Sequence, residues 1–168
     1  MLQDYTFHYQ SPLGDITLAS DGDALTGLWF EGQKYYAETL NSDHAERALP
    51  VFEEALRWLD LYFGGEKPGF IPKLNMRTTA FRKTVWSVLL TIPYGETRTY
   101  KQVAEETARR LGLARMSAQA VGGAVGHNAI SLIIPCHRVI GTDGGLTGYA
   151  GGLEKKAYLL RMEHHARG

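Results

Sequence analysis

Cysteine is nearly absent: Cys136 is the only one in 168 residues. An internal disulfide is therefore excluded, and so is any cysteine-rich zinc module, which takes several thiolates. The six histidines show no ligand spacing, so neither a metal nor a cofactor is expected. Long apolar runs are missing too. None approaches the ~18 residues of a membrane-spanning helix, and no membrane partner is expected. The start, Met-Leu-Gln-Asp-Tyr, has no basic segment and no apolar stretch. No export signal is expected from it, and a cytoplasmic, reducing setting is the simplest reading. Net charge is absent as well, with 18 basic and 18 acidic side chains.

That balance hides an asymmetry. Residues 1–75 hold 5 Lys/Arg and 12 Asp/Glu, whereas residues 76–168 hold 13 and 6. Opposite halves of −7 and +7 either attract each other or prepare the second half for a polyanion. The chain accordingly reads as two domains, 1–75 and 76–168.

The first half alternates like strands. Tyr5 to Tyr9, Leu13 to Leu18 and Ala24 to Phe30 are separated by Ser11-Pro12 and Asp21-Gly22-Asp23, which predicts an antiparallel meander. Phe52, Leu56, Leu59 and Phe63 then recur at helical spacing over Leu49 to Phe63, with Gly64-Gly65 as the stop. Glu66 to Asn75 reads as a linker. The second half reads as helices. One spans about Thr79 to Thr91. A second opens on a Thr99/Gln102 capping box, presents Tyr100, Val103, Ala104, Thr107, Ala108 and Leu111 on one face, and closes at Gly112. A third covers about Ser117 to Val125, and a last one Leu153 to Glu163, with Leu153, Ala157 and Leu160 on one face. Two short helices in succession within a basic half are compatible with a helix-turn-helix and equally with a small helical bundle.

The chemistry concentrates at Ile133-Ile134-Pro135-Cys136-His137-Arg138-Val139-Ile140. A lone cysteine is commonly a small buried residue. Here Pro135 fixes the backbone before it, and His137 and Arg138 follow. Such neighbours lower a thiol pKa, and the thiolate is the nucleophile. The sulfur is expected to be exposed and ionisable. Adjacent strand residues face opposite ways, so His137 assists only if the chain turns there or a water bridges. Glu154 and Glu163 are both candidates to orient the imidazole. The glycine-rich stretch Gly141 to Gly152 contains Tyr149, which suits a stacking ring or a core aromatic equally. The helix Ala118-Gln119-Ala120-Val121-Gly122-Gly123-Ala124-Val125-Gly126 is poor in propensity. Its small side chains permit close approach, either to a packed helix or to a nucleic-acid groove.

These motifs resemble the O6-alkylguanine-DNA alkyltransferases. The likeness runs from about Thr79 to Glu163, through Ala120-Val121-Gly122-Gly123-Ala124, Asn128, Pro135-Cys136-His137-Arg138-Val139, Gly148-Tyr149, Gly151-Gly152, Lys156, Leu159-Leu160 and Glu163. The first half is similar more loosely. The resemblance implies an α+β fold: a small N-terminal ribonuclease-H-like α/β domain and a C-terminal winged helix-turn-helix-like helical domain. It implies single-turnover transfer of an alkyl group from O6-alkylguanine to Cys136, with O4-methylthymine as a further candidate lesion. His137 would take the thiol proton through a water, Glu163 would hold His137, and Asn128 would brace the turn. Tyr100 would help swing out the damaged nucleotide. Carbonyls near Cys136 and Val139 would read the guanine amino group, and Tyr149 would donate toward O6. Val125, Arg138 and Ala150 complete the expected pocket. The partner would be double-stranded DNA, read from the minor groove by a monomer. Arg115, Ser117, Ala118, Gln119, Ala120, Gly122 and Gly123 are the expected contacts.

Three positions depart from the family's pattern. Ala129 follows Asn128 where proline is usual, which leaves the chain there less constrained. Gln119 replaces an arginine that fills the gap left by the flipped base. Ala150 brings no hydroxyl. The alternative readings are a non-catalytic alkylated-base-binding protein that flags lesions, a transcription regulator, and a cysteine hydrolase. The first replaces the acceptor cysteine, the second carries a zinc module, and the third needs an oxyanion hole.

Overall fold

The computed structural model of the protein describes residues 3–167. The first two residues, on which the expected lack of an export signal partly rests, lie outside them. The chain forms two compact units. One runs to Arg77 and takes in Ala129–Ser131; the other holds Thr78–Asn128 and the chain from Leu132 onward.

The first unit is a sheet with one helix. β1 (Asp4–Ser11), β2 (Gly14–Ser20) and β3 (Leu25–Phe30) form the expected antiparallel meander. A short β4 (His44–Glu46) pairs parallel to β1, giving the order β3-β2-β1-β4. The sequence reading missed β4, because three exposed residues carry no alternation and gain strand geometry only from β1. α1 (Pro50–Phe63) begins on a proline, whose missing N–H costs nothing in a first turn. Its Phe52 stacks on Phe7 with ring centres 5.9 Å apart, and Tyr9 Oη donates to Asp60 at 2.9 Å. The buried face of α1 is Val51, Phe52, Ala55, Trp58, Leu59 and Tyr62. Leu56 and Phe63, expected on that face, are only half-buried, because the two large rings at 58 and 62 shift the stripe.

Two further segments join this sheet. The expected linker 66–75 ends as part of it: Leu25 N donates to Lys73 O at 2.8 Å, and Asn75 N to Leu25 O at 2.9 Å. Ala129–Ser131 also returns to it. Leu28 N donates to Ala129 O at 2.8 Å, and Ser131 N to Leu28 O at 3.0 Å. The chain at Ala129 was expected to be less constrained without a proline; these ladder bonds pin it instead.

The second unit is mainly helical. α2 (Ala80–Leu89) is capped by Thr79, whose side chain accepts from Arg82 N. β5 (Arg98–Thr99) leads into α3 (Tyr100–Leu111), where both halves of the Thr99/Gln102 capping box form. α3 ends at Gly112, whose φ of 69° is left-handed and suits glycine. Leu111 lies outside the buried face expected for it and is 39% exposed. α4 (Ala118–Gly126) is capped by Ser117 and tied to α2 by the Trp86 indole, which donates to Ala124 O at 2.9 Å. β6 (Val139–Ile140) pairs parallel with β5, and α5 (Leu153–Arg167) closes the unit. The buried face of α5 is not the apolar one that Leu153, Ala157 and Leu160 form. Leu153 is 49% exposed and Ala157 and Leu160 are half-buried, whereas Lys156, Leu159 and Glu163 are buried. Polar partners inside the unit, not apolarity, decide which face turns in. No described helix is long and apolar enough to cross a membrane.

Candidate active site

The backbone around Cys136 bends twice. Leu132 takes a φ of 70°, which a non-glycine residue adopts only when its surroundings impose it. Pro135, at φ −82° and ψ 66°, is the centre of an inverse γ-turn in which Cys136 N donates to Ile134 O at 2.8 Å. Cys136–Arg138 is then a single 3₁₀ turn, with Arg138 N donating to Pro135 O. The objection that adjacent strand residues face apart therefore does not apply, because these residues are not in a strand.

The imidazole has its carboxylate. His137 Nε2 lies 2.6 Å from Glu163 Oε2, and both residues are buried. Of the two candidates left open by the bare sequence, Glu163 is the one that meets His137. Glu163 also accepts from Arg138 Nε at 2.8 Å, Arg138 Nη2 at 3.2 Å and Gly95 N at 3.1 Å. Burial pushes this carboxyl upward, but the bonds from His137 and Arg138 outweigh it and hold it well below the usual carboxylate range. An ionised carboxylate can only accept, so His137 Nε2 carries the proton and Nδ1 is the basic nitrogen. Burial lowers the His137 pKa, against the pull of Glu163 and with the help of Arg138 and Lys156.

The sulfur differs from expectation. It was expected to be exposed with a lowered pKa, but Cys136 is 4% exposed and burial pushes its thiol upward. The Asn128 amide and the Lys156 ammonium act in the opposite direction. Neighbours in sequence thus matter less than neighbours in space. Asn128 braces the turn, its Nδ2 donating to Ile134 O at 2.8 Å.

The remaining predicted residues fall into three groups. Tyr100 and Tyr149 come to the site. Tyr100 Oη donates to Thr147 O at 3.1 Å, and burial and the charge of Cys136 raise its pKa. Tyr149 Oη is buried with no hydrogen-bond partner among the described residues, and burial, Cys136 and Glu163 push its pKa well up. Ala150, next to it, is half-buried. A second group is already engaged. Arg138, expected to line the pocket, spends its guanidinium on Glu163 and on Ile92 O at 2.8 Å. Val139 O accepts from Lys156 Nζ, and Cys136 O from the Val139 amide. Val125, also expected in the pocket, is buried on the inner face of α4.

The third group lies on the outer face of α4 and in the residues just before it. Arg115, Ser117, Ala118, Gln119, Ala120 and Gly123 are exposed, and Gly122 is half-buried. A Cβ added at Gly123 would meet no protein atom within 4 Å, and one at Gly122 only the Tyr100 ring at 4.0 Å. These glycines are not explained by packing against a helix of this chain. Lys156, to which the motif assigns no role, also comes to this site. Its signal was the spacing Lys156, Leu159, Glu163, which is one helix face with a charge at each end. Among the described residues no cluster of His, Cys, Asp and Glu could hold a metal ion.

Comparison with known proteins agrees over nearly the whole chain. Residues 5–72 match the family described as 6-O-methylguanine DNA methyltransferase, ribonuclease-like domain. Residues 80–165 match 6-O-methylguanine DNA methyltransferase, DNA binding domain. A Mycobacterium bovis protein named methylated-DNA–protein-cysteine methyltransferase is 44% identical over 159 residues, 93% of this chain and 92% of its own. A Methanosarcina barkeri protein of the same name is 46% identical over 156 residues, covering 93% and 94%. The crystal structure of Mycobacterium tuberculosis OGT in complex with DNA superposes with a TM-score of 0.83 at 40% identity, covering 98% of this chain and 94% of that one. The expected two-part fold, ribonuclease-like and then DNA-binding, stands. With both halves matched and relatives this similar over this length, the chain belongs to the 6-O-methylguanine DNA methyltransferase family.

Proposed function

We propose that this protein repairs DNA as a methylated-DNA–[protein]-cysteine S-methyltransferase, moving the alkyl group of O6-alkylguanine irreversibly onto Cys136. The observation that carries the reading is the pairing of the chain's single cysteine with an adjacent imidazole held at 2.6 Å by a buried carboxylate.

The steps follow from the groups present. A base inside a duplex hides its O6 substituent, so the nucleotide is flipped out, at a cost of about a few kcal/mol. The outer face of α4, from Ser117 to Gly123 with Arg115 before it, lies in the minor groove, where small residues permit close approach. Gln119 fills the gap in the stack, and Tyr100 contacts the displaced nucleotide. The thiol proton passes through a water to His137 Nδ1, and Glu163 stabilises the imidazolium that forms. The sulfur attacks the alkyl carbon, an S–C bond forms, and the C–O6 bond breaks. Guanine leaves as an anion and takes a proton at O6 from the Tyr149 hydroxyl, which the imidazolium replenishes. Carbonyls near Cys136 and Val139, each with a second lone pair beyond the bond it already accepts, accept from the guanine amino group. The thioether has no leaving path, so each molecule acts once. The protein is proposed to act as a monomer in the cytoplasm, its acidic first domain and basic second domain dividing near residue 75.

The test is mass spectrometry after incubation with a duplex containing O6-methylguanine. One methyl on the peptide bearing Cys136, once per molecule, is expected. Cys136→Ser should lose transfer and keep DNA binding. Transfer that survives Cys136→Ser sinks the assignment, and binding without any transfer by the parent favours a lesion-flagging role.

A further inference from the structure

Lys156 is fully buried, and a lysine in that position either finds partners or gives up its charge. Its Nζ donates to Val139 O at 2.5 Å, Thr147 O at 3.0 Å and Gly148 O at 3.3 Å. An ammonium has three protons, and three carbonyls receive them. Those carbonyls come from the two segments that flank the reactive turn. Val139 directly follows it, while Thr147 and Gly148 lead into Tyr149 on the glycine-rich loop. The Tyr100 hydroxyl donates to the same Thr147 carbonyl, and Lys156 Nζ lies 5.9 Å from the Tyr100 ring centre. Residues 141–150 contain no helix or strand, so side-chain anchors of this kind define where the loop sits. The charge also reaches the sulfur, where it opposes the effect of burial. Burial lowers the Lys156 pKa to about 8, with Cys136 working against it. The cation therefore persists at neutral pH and is within reach of titration above it.

We propose that Lys156 is a positioning residue: its ammonium clips the glycine-rich loop to the reactive turn, sets Tyr149 against the sulfur, and favours the thiolate of Cys136. The titratable groups around it are Cys136 and His137 on the turn, Tyr100 on α3 and Tyr149 on the loop, with Glu163 farther along α5. The role in alkyl transfer rests on the function proposed above; the clip and its effect on the thiol do not.

The experiment uses the full chain with Lys156→Met, Lys156→Ala and Lys156→Arg. Iodoacetamide labels Cys136 across the neutral-to-alkaline range, and the rate is read by mass spectrometry. The Met variant should label about tenfold slower or worse near neutral pH, with its profile displaced upward. Ethylammonium added to the Ala variant should restore part of the rate where neutral propanol of similar size does not, a difference that a purely space-filling role would not allow. Hydrogen exchange should rise at residues 144–149 and stay unchanged in α2 and α3. Methyl transfer should fall by at least as much as labelling. Labelling, transfer and loop exchange all within about twofold of the parent overturn the proposal. If the Met variant does not fold, the Arg variant decides. It keeps the charge, but a planar fork cannot meet three carbonyls from one atom, so the thiol profile should hold while the loop loosens and transfer falls. An Arg variant whose loop and transfer match the parent's refutes the clip. If the parent transfers no methyl, the repair reading falls, while labelling and exchange still judge Lys156.

Discussion

Replacing Glu163 by glutamine separates the orientation of His137 from the mere filling of space. The carboxylate accepts from His137 Nε2, from Arg138 Nε and Nη2, and from Gly95 N. An amide of the same shape has one oxygen and one NH₂ group. If the oxygen faces Arg138 and Gly95, the NH₂ faces His137 and forces Nε2 to accept, which moves the ring proton to Nδ1 and removes the base. If the oxygen faces His137, the NH₂ opposes the Arg138 guanidinium, donor against donor. Either arrangement fails. A wrong imidazole tautomer in a comparable relay costs about 10⁴ in rate, and loss of an outer-sphere partner about 10–100, so a loss of about 10²–10⁴ is expected. Leaving the Arg138 charge buried without its counterion should also cost about 3 kcal/mol, toward the low end for breaking one side of a buried pair. The fold should survive, since domains commonly hold ~5–15 kcal/mol. The assay is single-turnover methyl transfer from an O6-methylguanine duplex at saturating DNA, with urea unfolding run alongside. Transfer within about threefold of the parent, in a folded variant, would refute the reasoning.

Three other outcomes are expected. Gly123→Leu should stabilise α4 by about 0.5–1 kcal/mol, because a helical glycine is replaced where the space is open, yet weaken duplex binding by about tenfold or more; unchanged binding removes α4 from the DNA surface. Gln119→Arg should tighten duplex binding and steepen its salt dependence by about one counterion; an unchanged or looser complex contradicts the proposed intercalation. The acid limb of the transfer rate should have its midpoint below the ordinary histidine value of about 6.5, since burial lowers the His137 pKa. Stability follows the same sign. His137 and Glu163 both have folded pKa values below their unfolded ones, so the unfolded chain binds protons first as pH falls. Stability should therefore decline below ~6.5 through His137 and further below ~4.3 through Glu163, and urea midpoints measured against pH check it.

Local rules made much of this protein legible. Alternation marked β1 to β3, Thr99 with Gln102 marked the start of α3, and Gly112 marked its end, because each signal acts between residues a few positions apart. The candidate site was partly readable too, since Pro135, Cys136 and His137 are consecutive and Cys136 carries the only thiol. Tertiary structure decided the rest. β4, Lys73–Asn75 and Ala129–Ser131 join a sheet only because distant strands offer unpaired backbone groups. The inward face of α5 was not legible because hydrophobicity points to Leu153, whereas Lys156 and Glu163 turn inward toward three carbonyls, an imidazole and a guanidinium. Composition determined that a single thiol was available for chemistry. Only three-dimensional packing determined its surroundings, because solvation and charge act through space and not along the chain.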